Sequence, residues 1–207
     1  VITDWIAAER RDIADMLDGL SAEQWESPSL CEGWTTRHVV AHLTMPFRYA
    51  APRFMMELAK AGGSFQRLSD GIADRDAALP RAQLIAALRD NAEHPWQPPG
   101  GGHEGALTHD VIHGLDITHP LRIERAISPD AMRAVLDMIT GPQSRQHFGV
   151  DVDGVQLQAV DLDWSCGTGA PLIGRAQDLA LLLTGRRVPE GAISGEGAHL
   201  SAGVVGR

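Results

Sequence analysis

The sequence predicts an α+β chain: a helical bundle over residues 1–125 followed by a small α/β domain over residues 126–207. Three observations predict it. Up to about residue 125, apolar residues recur at helical spacing between capping signals. Beyond that point, short alternating runs and glycine turns take over. No self-similarity at a period of roughly 20–50 residues marks a solenoid or propeller.

The elements follow in order. Thr3 reads as the N-cap of a first helix running to about Gly19, with Trp5, Ile6, Ile13, Met16, Leu17 and Leu20 as its apolar stripe. Ser21-Ala22-Glu23-Gln24 is a capping-box pattern that opens a short turn. Ser27 to Gly33 reads as a loop. A second helix begins at Thr35 or Thr36 and extends to about Lys60, where Gly62-Gly63 stop it. Pro46 has no N–H for the His42 carbonyl and its ring crowds that carbonyl, so a kink is expected just after His42; the plainer alternative is two helices broken at Pro46. Residues 64–79 are polar and weakly patterned, and no element is assigned there. Pro80 fits the first position of a helix that buries Leu84, Ile85 and Leu88. His94 to Gly102 is a proline-stiff, then glycine-loose loop. The next helix runs from about Glu104 to Thr118 and ends before Pro120.

In the C-terminal part, Ser128-Pro129-Asp130 starts a helix that Gly141 ends. His147–Val152, Asp153-Gly154 and Val155–Trp164 read as a β-hairpin. Ser165 to Gly169 reads as a turn and Ala170 to Gly174 as a strand. Ala176 to Thr184 forms a short helix with Gly185 at its C-cap, and His199 to Val205 a last strand.

Composition narrows the function classes. The formal net charge of -9 argues against nucleic acid and anionic membrane surfaces as general partners. No apolar run approaches the about 20 residues of a membrane span. Charged residues from Asp4 to Asp12 make the N-terminus a surface helix rather than a secretory signal, so a cytoplasmic protein is expected. The two cysteines, Cys31 and Cys166, form no CxxC, which excludes a disulfide framework and a zinc finger.

Two stretches carry the chemistry. Trp34 to Leu43 holds His38 and His42; Thr108 to Asp116 holds His109 and His113. Residues four apart share a helix face, about 6 Å apart along the axis. Two such helices facing each other converge imidazoles on one ion, and His42, His109 and His113 supply the three ligands of an open catalytic site. Neutral imidazole is a common ligand for zinc, nickel, iron and copper ions, so the residues leave the divalent metal open. Asp110 cannot face the ion together with His109, because adjacent residues point about 100° apart. Asp116, three residues after His113, is placed to accept a ring N–H and fix the tautomer. His38 reads as a solvated first-turn residue, with a fourth ligand or a proton shuttle as alternatives.

Leu30-Cys31-Glu32-Gly33-Trp34-Thr35, running into Val39-Val40-Ala41-His42-Leu43, resembles the first signature of the mycothiol-dependent maleylpyruvate isomerase family. His109, His113, Asp116 and Ile117 resemble its second signature, and Leu162-Asp163-Trp164 through Gly185-Arg186 resemble its small C-terminal domain. The resemblance implies a DinB-like four-helix bundle, a divalent metal held by His42, His109 and His113, and the thiol mycothiol as cofactor. One departure stands out: isomerase members of the family carry a glutamate where His109 stands. Imidazole for carboxylate raises the charge of the site by one unit, which favours deprotonation of a bound thiol and argues against assuming maleylpyruvate as substrate. In this family Cys31 is a recurring loop residue without assigned chemistry.

A carboxylate-bearing thiol or substrate calls for a cation. Arg186 is the candidate catalytic cation beside Asp116, and Arg175 and Arg187 are the candidate cofactor-binding residues. The leading expectation is a metal-dependent enzyme that presents a thiolate to a small electrophile, by thiol transfer, conjugate addition or cis–trans isomerisation. A metal-dependent hydrolase, with water in place of the thiol, and a non-catalytic metal or small-ligand binding protein are the alternatives. An interaction module ranks last. A monomer or homodimer is expected.

Overall fold

The computed structural model describes residues 1–148 and 151–198. Its contacts divide the chain into two units, Val1–Ala106 with Asp116–Glu124, and Leu107–Leu115 with Arg125 onward. Helices come first and a small sheet comes late, so the α+β class is the one the sequence predicts. The expected strand at His199–Val205, and Gly149 and Val150 of the expected hairpin, lie outside the described residues.

The first unit contains α1 (Ile2–Asp18), α2 (Ala22–Glu26), α3 (Thr36–Arg48), α4 (Ala51–Lys60), α5 (Phe65–Asp76), α6 (Arg81–Arg89) and both ends of α7 (Gly102–Thr118). Its main core joins Ile13 and Leu17 of α1, Trp25 of α2, Val39, Val40 and Leu43 of α3, Leu84 and Leu88 of α6, and Ile117 of α7. Each such side chain contributes about 1.5–3 kcal/mol by leaving water. The Ser21 capping box forms as predicted: the Gln24 N–H donates to the Ser21 hydroxyl, and the Ser21 N–H donates to the Gln24 side chain. Buried Arg10 fastens α1 to the segment after α6. Its Nη1 lies 2.8–3.3 Å from the carbonyls of Asn91, Ala92 and His94, and its guanidinium covers the Phe47 ring.

Two expectations need correction here. The stretch expected as one helix to Lys60 is two helices, and the break is not at Pro46: α3 runs through Pro46 to Arg48, the chain turns at Tyr49 and Ala50, and α4 starts at Ala51 with Pro52 in its first turn. Side chains serve the carbonyls of the turn before Pro46. The Thr44 hydroxyl donates to Val40 and Ala41, and the Arg48 guanidinium to Ala41 at 2.7 Å. The unassigned stretch 64–79 contains α5, capped by the Ser64 hydroxyl. Leu68, Ile72 and Ala73 mark its apolar face; Leu68 and Ile72 bury against Met45 of α3 and Tyr49 just after it, and this tertiary contact outweighs a polar local sequence.

The second unit contains α8 (Pro129–Thr140), α9 (Pro142–Phe148), β1 (Val155–Ala159), β2 (Ser165–Gly167), β3 (Ala170–Gly174), α10 (Ala176–Leu183), β4 (Ile193–Ser194) and the middle of α7. The sheet order is β2-β1-β3-β4, with β1 and β3 parallel and both outer pairs antiparallel. Val155, Leu157 and Leu172 are buried, and α10 lies against β1, β3 and α8. α8 and β3 stand where the sequence puts them. The hairpin does not: His147 belongs to α9, and β1 pairs with β2, in the stretch read as a turn. The chain reverses over residues 160–164, closed by the Ala159 N–H donating to the Trp164 carbonyl. Gly169 has φ +132°, and a Cβ there would lie 2.0 Å from the Gly154 oxygen, so this crossing of backbones admits only glycine.

Candidate metal centre

α3 carries His42, and α7 carries His109 and His113 one turn apart. α7 is unbroken from Gly102 to Thr118, so a single helix sets both of its imidazoles. Their ring centroids are 4.8 Å apart, edge to face. One ligand atom from each of His42, His109 and His113 lies within 4.8 Å of the other two. Zinc–nitrogen bonds of about 2.0–2.1 Å put tetrahedral ligands roughly 3.3 Å apart.

The rings are held from behind. His42 is buried, and its Nδ1 lies 2.9 Å from the hydroxyl of Ser69, itself buried on α5. The Trp34 ring tilts against His42 with centroids 5.3 Å apart. His109 Nδ1 lies 2.9 Å from the carboxylate of Asp110, which is 1% exposed. In the tautomer of a neutral imidazole that donates from Nδ1 to a carboxylate, Nε2 is the nitrogen with a lone pair for a cation. The Ser69 hydroxyl can accept from His42 in the corresponding tautomer, which leaves Nε2 of that ring for a cation. This pattern of orienting partners fits a metal-binding imidazole set. Asp110 turns to the ring of its neighbour rather than to the centre, as the helical geometry requires.

Asp116 is fully buried, and its Oδ2 accepts a hydrogen bond from Cys31 Sγ at 3.1 Å. Cys31, His113 and Asp116 form a second group whose ligand atoms lie within 4.8 Å of one another. His113 thus belongs to both groups. His38 joins neither among the described residues. Its Nδ1 takes the Thr35 N–H at 3.3 Å and lies 2.8 Å from the Thr35 hydroxyl, so it caps α3 from the third helical position.

The three arginines stand at the two ends of α10. Arg175 is its N-cap residue, exposed, with Nε 3.5 Å from Asp161; Asp161 also accepts from the Ala176 N–H. Arg186 follows the helix and donates to the Thr184 carbonyl at 2.7 Å, while Arg187 is exposed. The eight-residue helix between them is about 12 Å long.

Sequence reasoning missed Ser69, Asp110 and the partner of Cys31. Ser69 gave no signal without α5. Asp110 was visible as the neighbour of His109, but its use as a ring partner shows only in three dimensions.

Residues 6–95 match the family model described as the mycothiol maleylpyruvate isomerase N-terminal domain. Two crystal structures share the fold. One, of a histidine-to-alanine variant of the mycothiol-dependent maleylpyruvate isomerase, has a TM-score of 0.62 at 14% identity, covering 94% of this chain and 91% of that one. The other, of the mycothiol-dependent maleylpyruvate isomerase, has a TM-score of 0.55 at 13% identity with the same coverages. No curated protein sequence matches the chain.

Proposed function

We propose, from the match of residues 6–95 to the mycothiol maleylpyruvate isomerase N-terminal domain model, a metal-dependent enzyme that uses a small thiol, mycothiol first among them, to isomerise or add to a small electrophile. The observation that carries this reading is the approach of His42, His109 and His113 ligand atoms to within 4.8 Å, with Nδ1 of two of the rings engaged from behind.

His42, His109 and His113 would hold the ion, and an all-imidazole set suits zinc or nickel. A divalent ion bound there supplies Lewis acidity and lowers the pKa of a coordinated thiol or water. Ser69 and Asp110 fix the rings of His42 and His109. Asp116 orients His113 from the same helix face. Arg186 and Arg187 are the cations for carboxylate groups of thiol or substrate. Arg175 instead holds the start of α10 together with Asp161.

The test is bound metal per chain by elemental analysis, on tag-free wild type and His42→Ala, followed by assays of maleylpyruvate and other small unsaturated acids with and without the thiol. The expected result is near-stoichiometric metal that the variant loses, and turnover that needs both metal and thiol. A wild type that takes up no metal after reconstitution refutes the reading. Metal-dependent turnover that ignores the thiol replaces it with a hydrolase.

A further inference from the structure

The turn before α3 touches His42 and Asp116. Pro28 and Thr35 bridge its base, and the Ser29 hydroxyl accepts the Cys31 N–H and donates to the Trp34 carbonyl. The Trp34 N–H closes a four-residue turn on the Cys31 carbonyl at 3.0 Å. Gly33 occupies its third position with φ +77°, the left-handed conformation that a type II turn demands there. From this fixed turn the Trp34 ring reaches His42. The Leu30 N–H donates to the Asp116 carbonyl at 3.0 Å, and the Cys31 thiol to the Asp116 carboxylate at 3.1 Å. Backbone and side chain of one residue on α7 are therefore both held by this turn.

We infer that Cys31 is a positioning residue for the metal centre: its thiol holds the Asp116 carboxylate, and Asp116 holds the His113 ring three residues earlier on the same helix. The inference rests on the metal reading above and extends it to a residue outside the ligand set. Cys31 is half-buried and its sulfur is engaged by Asp116, so the arrangement is that of a donor fixing an acceptor. A carboxylate that orients a ligating histidine fixes its ring plane and tautomer. Loosening such a partner weakens metal binding without removing a ligand.

Cobalt(II) is the probe, competed against a chromophoric chelator, with wild type, Cys31→Ala, Cys31→Ser and His42→Ala. Cys31→Ala should weaken cobalt binding on the order of tenfold. Cys31→Ser keeps a donor at this position and should recover most of that loss, which separates the hydrogen bond from any effect on folding. Wild type should show no thiolate-to-cobalt charge-transfer band. Cys31→Ala binding as tightly as wild type overturns the inference, as does Cys31→Ser binding as weakly as Cys31→Ala. A thiolate band overturns it too, by making Cys31 a ligand. His42→Ala keeping wild-type affinity, or a wild type that binds no cobalt, sinks the metal reading and this inference with it. Loss in His42→Ala with none in Cys31→Ala sinks this inference alone.

Discussion

Replacing Asp76 with Asn tests how α5 is anchored. The Asp76 side chain is 9% exposed and that of Arg48, its ion-pair partner, 14%. Asp76 also accepts from the Tyr49 hydroxyl at 2.8 Å and from Arg75 Nε at 3.2 Å. Burial by itself pushes the Asp76 pKa up. The hydrogen bonds from Arg48 and Tyr49, the Arg48 charge and Arg75 together outweigh it, and the pKa ends below the usual carboxylate range. Removing one partner of a buried pair costs about 3–5 kcal/mol. Arg48 keeps the Ala41 carbonyl and the Thr44 hydroxyl, which offset about 1 kcal/mol. The expected loss is therefore about 2–4 kcal/mol, roughly 5–15 °C in Tm. The sign with pH follows from the lowered folded pKa. The stabilisation is complete above the unfolded value of about 3.9 and is lost as pH falls through the folded one. Wild type should thus lose stability on acidification below about pH 4, and Asp76→Asn should lose less over the same window. Arg48→Met in the Asn background should recover part of the loss, because no buried charge is then left unpaired. Urea unfolding followed by intrinsic tryptophan fluorescence at neutral and acid pH measures all three. An Asn variant within about 0.5 kcal/mol of wild type, the ordinary range for a surface substitution, or one with the wild-type acid dependence, refutes the reasoning.

Three further outcomes are expected. Ser69→Ala should cost the apoprotein about 1 kcal/mol but weaken zinc binding on the order of tenfold in a chelator competition, because His42 loses its Nδ1 partner; unchanged affinity would show that Ser69 does not orient the ring. Gly169→Ala should destabilise the protein by more than about 2 kcal/mol, since a Cβ overlaps the Gly154 carbonyl at an unfavourable φ; a wild-type melting curve counts against that strand crossing. Arg187→Ala should raise KM for the thiol about tenfold with little change in kcat, the weight of one charge-assisted hydrogen bond; a fall in kcat alone would place Arg187 elsewhere in the cycle.

Legibility in the sequence tracked how local each determinant was. α8 was readable from Ser128-Pro129-Asp130 and Gly141, and α6 from Pro80 and its leucines, because caps and apolar spacing lie within the element itself. α5 was not, since a few apolar residues in a polar stretch become a helix face only once α3 covers them. β2 was hidden in a glycine-rich stretch whose pairing with β1 is a long-range choice. The same division runs through the site. The i and i+4 spacing gave His109 and His113, and the Trp34–Leu43 signature gave His42. Ser69 sits on the helix that was not read, and the meeting of Cys31 with Asp116 spans 85 residues of chain.

The attachment of α1 to the α6 region has two components with different sensitivities to ionic strength. Arg11 with Glu93, and Arg89 with Asp15 and Asp18, are exposed pairs that dissolved salt screens. Arg10 has no accessible surface, and backbone carbonyls surround its charge where water would otherwise stand. Mobile ions cannot approach it. Rising salt should therefore erode this seam only to a floor, below which the buried guanidinium keeps α1 in place.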